Sequence, residues 1–278
     1  MENKGRPVTS LLQRCIVLSL SLAAAFATHA AAAPRESVAS VTSRPGITQD
    51  YLLIEPEKQP RAIAVLFVGG EGELGLEKKR LTKGINNFLM RVRPQLAAAG
   101  LLLAYPDTPS DQRQGLGNFR INDKHAEDIA AVIKALSAAH PNLPVFLIGT
   151  SRGTISAANG AARLPAGVLS GLVLTSSVTV RGNKAQAFIQ QLPVQDIKLP
   201  IFVLAHKDDG CYVTPPGNVP TLLNAMPAAP RKDSLTLTGG AGAGGDPCGS
   251  QSAHGFLGIE DQAAKAMTDW IEAVLTAR

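Results

Sequence analysis

The sequence lacks a strong charge imbalance, and no stretch of it carries five or six basic residues in succession. Its 278 residues contain 27 lysines and arginines against 22 aspartates and glutamates, a formal net charge of +5. Nucleic-acid-binding chains concentrate basic residues into patches or arms, so this composition argues against a nucleic-acid partner. The sequence also lacks repeats at solenoid periods and groups of His, Cys and carboxylate residues at metal-ligand spacing. Neither a repeat protein, nor a metal, nor another cofactor is predicted.

The first 33 residues show the three regions of a secretory signal. Basic residues precede the uncharged apolar run IVLSLSLAAAF, and small residues follow it with cleavage sites after Ala30 or Ala33. A membrane anchor and a disordered tail are the alternatives, but the apolar segment 15–27 is short for a bilayer core of about 30 Å. We therefore expect removal of residues 1–33 on export to the periplasm or the medium, with no stable membrane anchor. Residues 34–278 are then expected to form a single domain.

Cysteine is scarce, with three residues in the whole chain. Removal of the signal leaves Cys211 and Cys248, an even number in an oxidising compartment, which favours a disulfide. The alternative is a pair of buried free thiols, since free cysteine is often buried.

Short apolar runs alternate with amphipathic segments from Tyr51 onward. This alternation predicts an α/β fold with a mostly parallel sheet covered by helices on both faces. YLLIE and AIAVLFV, joined by PEKQPR, predict an antiparallel pair at a sheet edge. Pro94 predicts a kink in the helical segment 86–100. The stretch between GLVLTS and IFVLAH is too short for a large lid, so an open or thinly covered site is expected.

The segment VFLIGTSRGTISAA predicts a strand, a sharp turn and a helix around Ser151. Gly149 and Gly153 permit the strained backbone that lifts a serine hydroxyl above a sheet edge. The amide of Arg152 then points toward the same space as that hydroxyl. A glycine-rich turn without chemistry is the alternative, because G-x-S-x-G is by itself a weak motif.

A serine hydroxyl needs a base, and the base needs an acid to orient it. His254, in the loop between the last strand and the last helix, is the candidate base. His125 and His140 are expected to be surface or capping residues at helix ends, and His206 lies too close to the candidate acid to be a third group.

Two aspartates compete for the role of the acid. Asp208 and Asp209 both follow the strand IFVLAH by a few residues, and spacing alone does not separate them.

An acyl-transfer site also needs a second backbone donor for a developing oxyanion. The loop GGEGELGL follows the strand AIAVLFV, and Gly70 or Glu71 is expected to supply this N–H. A phosphate-binding loop is the competing interpretation, but the loop has neither the GK[ST] ending nor G-x-G-x-x-G spacing.

The segments VLFVGGEGELGL, GTSRGT, DDGC and GDPC…HGF resemble small exported bacterial members of the α/β-hydrolase superfamily, and the resemblance extends over roughly residues 51–277. It implies Ser151 as nucleophile, Asp209 rather than Asp208 as acid, and His254 as base, with the paired cysteines beside them. The chain has GG where the superfamily often has HG, so the oxyanion donor departs from the familiar pattern.

These parts predict a serine hydrolase that cleaves a carboxylic ester of a small or polar molecule through an acyl-enzyme intermediate. Peptidases, thioesterases and acyltransferases use the same residues, and a binding module without turnover is a further alternative. The side chains of Arg152 and Arg113 are expected either to favour an anionic or polar acyl group or to pair with nearby carboxylates. A bridge between Cys211 and Cys248 would connect the acid loop to the histidine loop. No oligomeric state is predicted.

Overall fold

The computed structural model describes residues 35–240 and 245–277, together with Met1, Glu2 and Gly5. Apart from those three residues, the predicted export signal over residues 1–33 lies outside the described part of the chain. Among the described residues, no helix combines the length and the apolar character that crossing a membrane requires.

Eight strands form one sheet in the described chain. In sequence order they are β1 (Arg35–Arg44), β2 (Ile47–Glu55), β3 (Ala62–Phe67), β4 (Leu101–Pro106), β5 (Val145–Thr150), β6 (Gly171–Thr175), β7 (Ile201–His206) and β8 (Lys232–Leu237). Their order across the sheet is β1-β2-β4-β3-β5-β6-β7-β8. β1 and β2 are antiparallel to their neighbours, and the strands from β4 to β8 are parallel. The predicted mostly parallel sheet is confirmed.

Six α-helices of the described chain cover the sheet. They are α1 (Phe88–Arg91), α2 (Arg93–Ala98), α3 (Asp123–Ala139), α4 (Gly153–Arg163), α5 (Val219–Asn224) and α6 (Glu260–Thr276). Buried residues of α3, α4 and α5 pack into one hydrophobic cluster, and those of α1, α2 and α6 into another. β3 divides its side chains between the two clusters by alternation, Ile63 and Val65 on one side, Ala64 and Leu66 on the other. Both faces of the sheet are therefore covered, as the continuous apolar strands predict.

The antiparallel edge differs from the prediction. β2 does not pair with β3; it lies between β1 and β4. β3 is a central strand flanked by β4 and β5, and its residues are buried on both faces, so it has no free edge for a hairpin partner. β1 was not predicted because its sequence RESVASVTSR is largely polar and its burial pattern is that of a solvent-exposed edge.

The segment around Pro94 is divided as predicted. α1 ends at Arg91 and α2 begins at Arg93, which leaves Pro94 in the first turn of α2. A proline there needs no hydrogen-bond acceptor for its nitrogen, so the break satisfies the backbone.

The link between β6 and β7 contains two short 3₁₀ turns, Ile189–Gln191 and Val194–Asp196, and no large lid. The carboxyl ends of the parallel strands consequently open onto a thinly covered edge, where the loops after β3, β5, β7 and β8 gather.

Candidate active site

Ser151 occupies the sharp turn between β5 and α4. Its φ of 51° lies in the left-handed region, which is rare for a residue with a side chain. Two contacts hold this conformation: the Ser151 N–H donates to the Thr175 carbonyl at 3.0 Å, and the Thr154 hydroxyl donates to the Ser151 carbonyl at 2.6 Å. Surrounding structure that over-determines such a strained residue is typical of functional sites.

The glycines around Ser151 are required by close backbone approach. A Cβ at Gly149 would lie 2.5 Å from the Gly153 carbonyl oxygen, and one at Gly153 would lie 2.0 Å from that of Phe67. Gly69, on the neighbouring loop, would place a Cβ 3.0 Å from the Cβ of Ser151. The turn therefore packs directly against the end of β3, with no room for side chains at these positions.

Asp209 and His254 are hydrogen-bonded to each other. His254 Nδ1 lies 3.0 Å and 3.2 Å from the two carboxylate oxygens, and both side chains are buried. The Thr214 hydroxyl and the Cys211 N–H also donate to this carboxylate, each at 2.9 Å. The imidazole of His254, the hydroxyl of Thr214 and the N–H of Cys211 thus fix the orientation of the Asp209 carboxylate.

Asp208 is exposed and takes no part in this pair. Its N–H donates to His206 Nδ1 at 3.0 Å, and its side chain makes no hydrogen bond to His254. Of the two aspartates left open by spacing, the structure brings Asp209 to His254.

His254 is held by its own main chain. The Ser252 hydroxyl accepts from the His254 N–H at 3.2 Å, and the His254 carbonyl accepts from the Ser176 hydroxyl at 2.7 Å. His254 Nε2 is buried and has no hydrogen-bond partner among the described residues. The residue His254 lines the same cleft as Ser151.

Of the three other histidines in the described chain, two lie where the sequence predicted and one does not. His140 ends α3 as a capping residue, and His206 is buried next to the acid loop, with Nε2 2.9 Å from the Gly239 carbonyl. The prediction of a surface position for His125 was wrong: its ring is buried, with Nε2 2.8 Å from the Ser156 hydroxyl. The first turn of α3 lies under Phe67 and Phe119, whose rings cover the imidazole.

The loop after β3 turns tightly beside Ser151. The Gly72 N–H donates to the Gly69 carbonyl at 3.2 Å, and Gly70 between them has a φ of 59°. Gly70 lines the cleft. Glu71 instead turns its carboxylate to the Arg152 guanidinium, with distances of 2.5 Å and 3.1 Å.

That ion pair governs the ionisation of Glu71. Partial burial opposes the charged form, but the hydrogen bonds and the positive charge of Arg152 outweigh it, so the pKa of Glu71 is lowered. Arg113 is likewise paired, with Glu77 at 2.8 Å. The alternative in which these two arginines pair with carboxylates is therefore the one observed.

Two buried groups that sequence patterns did not indicate hold the same loop. Asp107, directly after β4, accepts from the N–H groups of Leu74 at 2.7 Å and Leu76 at 2.8 Å. Burial raises the pKa of Asp107, against the opposing effect of these N–H donors. Arg120 donates to the carbonyls of Val68 at 3.3 Å and Gly70 at 3.2 Å. The position of Asp107 at the carboxyl end of a strand is a weak sequence signal for a residue near the site. No pattern in the sequence around Arg120 indicates its contact with this loop.

The cleft has a volume of about 480 Å³. Its wall beyond Ser151 and His254 is mostly polar, with Thr82, Asn86 and Ser250 among the lining residues, and Phe88 adds an aromatic surface. Lys83 also lines the cleft, and its Nζ lies 3.1 Å from Oε2 of Glu73. Among the described residues, no cluster of three or more His, Cys, Asp or Glu side chains could hold a metal ion.

Cys211 and Cys248 form a disulfide, with Cα atoms 4.5 Å apart. Cys211 belongs to the loop that carries Asp209, and Cys248 lines the cleft ahead of His254. The predicted bridge between the two loops is confirmed.

Comparison with protein-family models and with curated protein sequences gives no match. Solved structures do share the fold. A dienelactone hydrolase from Anabaena variabilis is similar with a TM-score of 0.60 and 14% identity, covering 87% of this chain and 99% of that one. An esterase from Pyrococcus furiosus has a TM-score of 0.63 and 12% identity, with coverages of 87% and 92%. An α/β serine hydrolase without a lid from Xanthomonas campestris has a TM-score of 0.55 and 17% identity, with coverages of 84% and 96%.

These similarities define the fold class. The protein has the α/β-hydrolase fold without a large lid. At such low identities the likeness carries the architecture, and the chemistry must be argued from the site itself.

Proposed function

We propose that this protein is a serine hydrolase that cleaves a carboxylic ester of a small, polar molecule through an acyl-enzyme intermediate. The observation that carries the proposal is the hydrogen-bonded pair of Asp209 and His254: its Nε2 has no hydrogen-bond partner among the described residues, and His254 lines one cleft with the strained Ser151. Nucleophile, base and acid occur in the chain order that this fold uses.

In the proposed mechanism, His254 Nε2 takes the proton of Ser151 as its oxygen attacks the acyl carbonyl carbon. Asp209 accepts a hydrogen bond from Nδ1–H, which keeps Nε2 unprotonated before attack and stabilises the imidazolium afterwards. Collapse of the tetrahedral intermediate breaks the ester bond, and the imidazolium returns its proton to the leaving alkoxide. A water molecule, deprotonated by His254, then attacks the acyl-enzyme. The imidazolium returns that proton to the Ser151 oxygen as its bond to the acyl carbon breaks, which releases the acid and restores Ser151.

The negative charge of each tetrahedral intermediate needs two preorganised donors. We assign these to the backbone N–H groups of Arg152, at the start of α4, and of Gly70. Of the two candidates on the loop after β3, Gly70 lines the cleft, whereas the Glu71 side chain turns to Arg152. Gly70 replaces Glu71 in this assignment for that reason.

The polar wall of the cleft supports a small polar acyl or alcohol group rather than a long alkyl chain. Its polar side chains can orient such a substrate by hydrogen bonds, and its volume of about 480 Å³ suits a small molecule. The solved structures of like fold include proteins described as esterases and a dienelactone hydrolase, which agrees with ester chemistry. The disulfide agrees with the export that residues 1–33 predict.

Labelling with a fluorophosphonate probe tests the nucleophile. We expect covalent modification of Ser151 in the folded protein and none in Ser151→Ala. An unlabelled wild-type protein would favour a binding module without turnover.

A panel of chromogenic esters with graded chain length and polarity tests the substrate class. We expect the highest kcat/KM for short polar acyl groups, with activity lost in Ser151→Ala. Matched thioesters and anilides in the same panel separate esterase from thioesterase and peptidase activity. Hydrolysis that persists in the alanine variant contradicts the mechanism.

A further inference from the structure

Arg120 is a buried cation without a carboxylate partner. Its side chain is 1% exposed, and no ion pair links it to an acidic residue in the described ranges. The other buried arginine, Arg44, lies 2.8 Å from both Asp111 and Asp128. Burying a charge without an opposite charge costs several kcal/mol, so a structural role alone is a poor account of Arg120.

The partners of Arg120 are main-chain carbonyls of the loop beside Ser151. One guanidinium nitrogen donates to Val68 at 3.3 Å and to Gly70 at 3.2 Å. Between these, the Gly69 carbonyl accepts from the Gly72 N–H at 3.2 Å. Three consecutive carbonyls of the loop are therefore held, which leaves the intervening peptide planes little freedom to rotate.

The loop also closes over the guanidinium. A Cβ at Gly72, whose φ is 84°, would lie 2.8 Å from the same guanidinium nitrogen. This glycine lets the turn lie against the cation, so loop and arginine fit each other closely.

A buried hydroxyl anchors the other side of the guanidinium. Ser156, on α4, accepts from Arg120 at 2.6 Å, and its Oγ lies 2.8 Å from His125 Nε2. Burial and the Arg120 charge lower the pKa of His125 to about 3, so the neutral ring can accept the serine proton. The hydroxyl is thereby oriented with its lone pair toward Arg120.

We propose that Arg120 is a positioning residue of the hydrolase site, which holds the loop so that the Gly70 N–H faces the cleft and places a buried positive charge behind the oxyanion. This inference rests on the proposed function. The charge persists at neutral pH, since burial and then Arg152 lower the pKa of Arg120 only to about 9. In a low-dielectric interior a fixed cation and a preorganised amide act on the transition state far more than on the neutral ester.

Three variants test the proposal in the full-length mature protein. Arg120→Lys keeps the charge but loses the guanidinium, which contacts both carbonyls with one nitrogen and Ser156 with another. Arg120→Ala removes both the charge and these contacts. Arg163→Lys is the matched control, because Arg163 ends α4 and its hydrogen bonds go to Asp123, Asn159 and the Ile121 carbonyl rather than to the loop at 68–72. We measure kcat and KM on the best ester, the inhibition constant of a boronic acid analogue of the tetrahedral intermediate, and the melting temperature.

We expect kcat to fall about 10- to 100-fold in Arg120→Lys and further in Arg120→Ala, with KM changed less than threefold. Boronic acid affinity should fall in parallel with kcat. Added methylguanidinium should restore part of the activity of Arg120→Ala, and methylammonium should not. Arg163→Lys should keep the wild-type kcat.

A kcat within twofold of wild type in folded Arg120→Lys overturns the proposal, as does a loss of melting temperature with unchanged kcat. If Arg120→Ala does not fold, Arg120→Lys decides alone. Failure of the proposed function is distinct, because the wild-type protein would then hydrolyse no ester and take no fluorophosphonate label.

Discussion

The side chains of Arg152 and Glu71 form an ion pair that joins the turn of Ser151 to the loop after β3. Arg152 follows Ser151 directly and supplies one proposed oxyanion donor, its own N–H. Glu71 follows Gly70, whose N–H is the other proposed donor. The Arg152 side chain is 18% exposed and that of Glu71 48%. The pair therefore connects the two halves of the proposed oxyanion hole, and each side chain is the ion-pair partner of the other.

Removal of this pair should reduce activity modestly. We expect Glu71→Gln and Arg152→Met each to lower kcat/KM about two- to fivefold, because a half-exposed pair contributes up to about 1 kcal/mol. The double variant should lose little more than either single one, and a double-mutant cycle measures this coupling. Glu77→Gln, which breaks the exposed pair with Arg113, is the control. Fully additive losses would mean that the two side chains act independently.

The same pair predicts a pH dependence of stability. Because the pKa of folded Glu71 lies below its ordinary value of 4.5, its contribution is present above pH 4.5 and is lost as the pH falls through the lowered value. The difference in free energy of unfolding between the wild type and Glu71→Gln should thus shrink in acid. Denaturant titrations at pH 7 and pH 3.5 measure it, and a difference that grows in acid contradicts the assignment.

The two adjacent aspartates should respond very differently to amide substitution. Asp209→Asn should lower kcat by roughly 10³- to 10⁴-fold, since the amide cannot orient and stabilise His254 as a carboxylate does. Asp208→Asn should stay within about twofold of wild type because its carboxylate is exposed. Steady-state kinetics on both variants checks the pair. Equal losses would place Asp208 in the site as well.

The disulfide should stabilise the fold and the acid loop together. Its two cysteines are separated by 37 positions, for which chain entropy gives about 4 kcal/mol. We expect the free energy of unfolding of the double variant Cys211→Ser, Cys248→Ser to be lower by about 2–4 kcal/mol. Its kcat should also fall, since the bridge holds the loop in which the Cys211 N–H orients Asp209. Reductant should reproduce this change in the wild type and have no effect on the variant. Unchanged melting temperature and kcat would refute the prediction.

His125 should make the protein sensitive to acid. Its pKa falls from 6.5 in the unfolded chain to about 3 when folded, so its neutral form is favoured by folding. The contribution of neutral His125 to the free energy of unfolding is therefore complete above pH 6.5. It is lost as the pH falls toward 3, by about 1.4 kcal/mol per pH unit. His125→Gln, whose carbonyl can accept from Ser156, should show a shallower decline between pH 6 and pH 4. Parallel declines in urea denaturation would argue against it.

Local steric requirements were readable from the sequence. Gly149 and Gly153 flank Ser151 because backbone atoms approach them closely. Such a constraint is visible in the sequence because it fixes the residue type at positions close to Ser151. The cysteine pair and the α/β alternation were predictable for a similar reason: each depends on residue type and spacing along the chain. The strand β1 was not, because an exposed polar edge strand leaves no hydrophobic pattern.

Contacts between distant segments were decided only by the tertiary structure. The acid loop turns Asp209 inward and leaves Asp208 in solvent, a difference of one residue that spacing could not resolve. Arg152 pairs with Glu71 because the sheet brings the loops after β3 and β5 side by side. Arg120, in the link between β4 and α3, donates to the Gly70 carbonyl because β4 flanks β3 on its other side. The sequence by itself determined which groups are candidates for the proposed chemistry, through residue type and the steric demands of neighbouring residues. The fold decided which of them meet, because hydrogen bonds and charges between distant segments depend on the three-dimensional path of the chain.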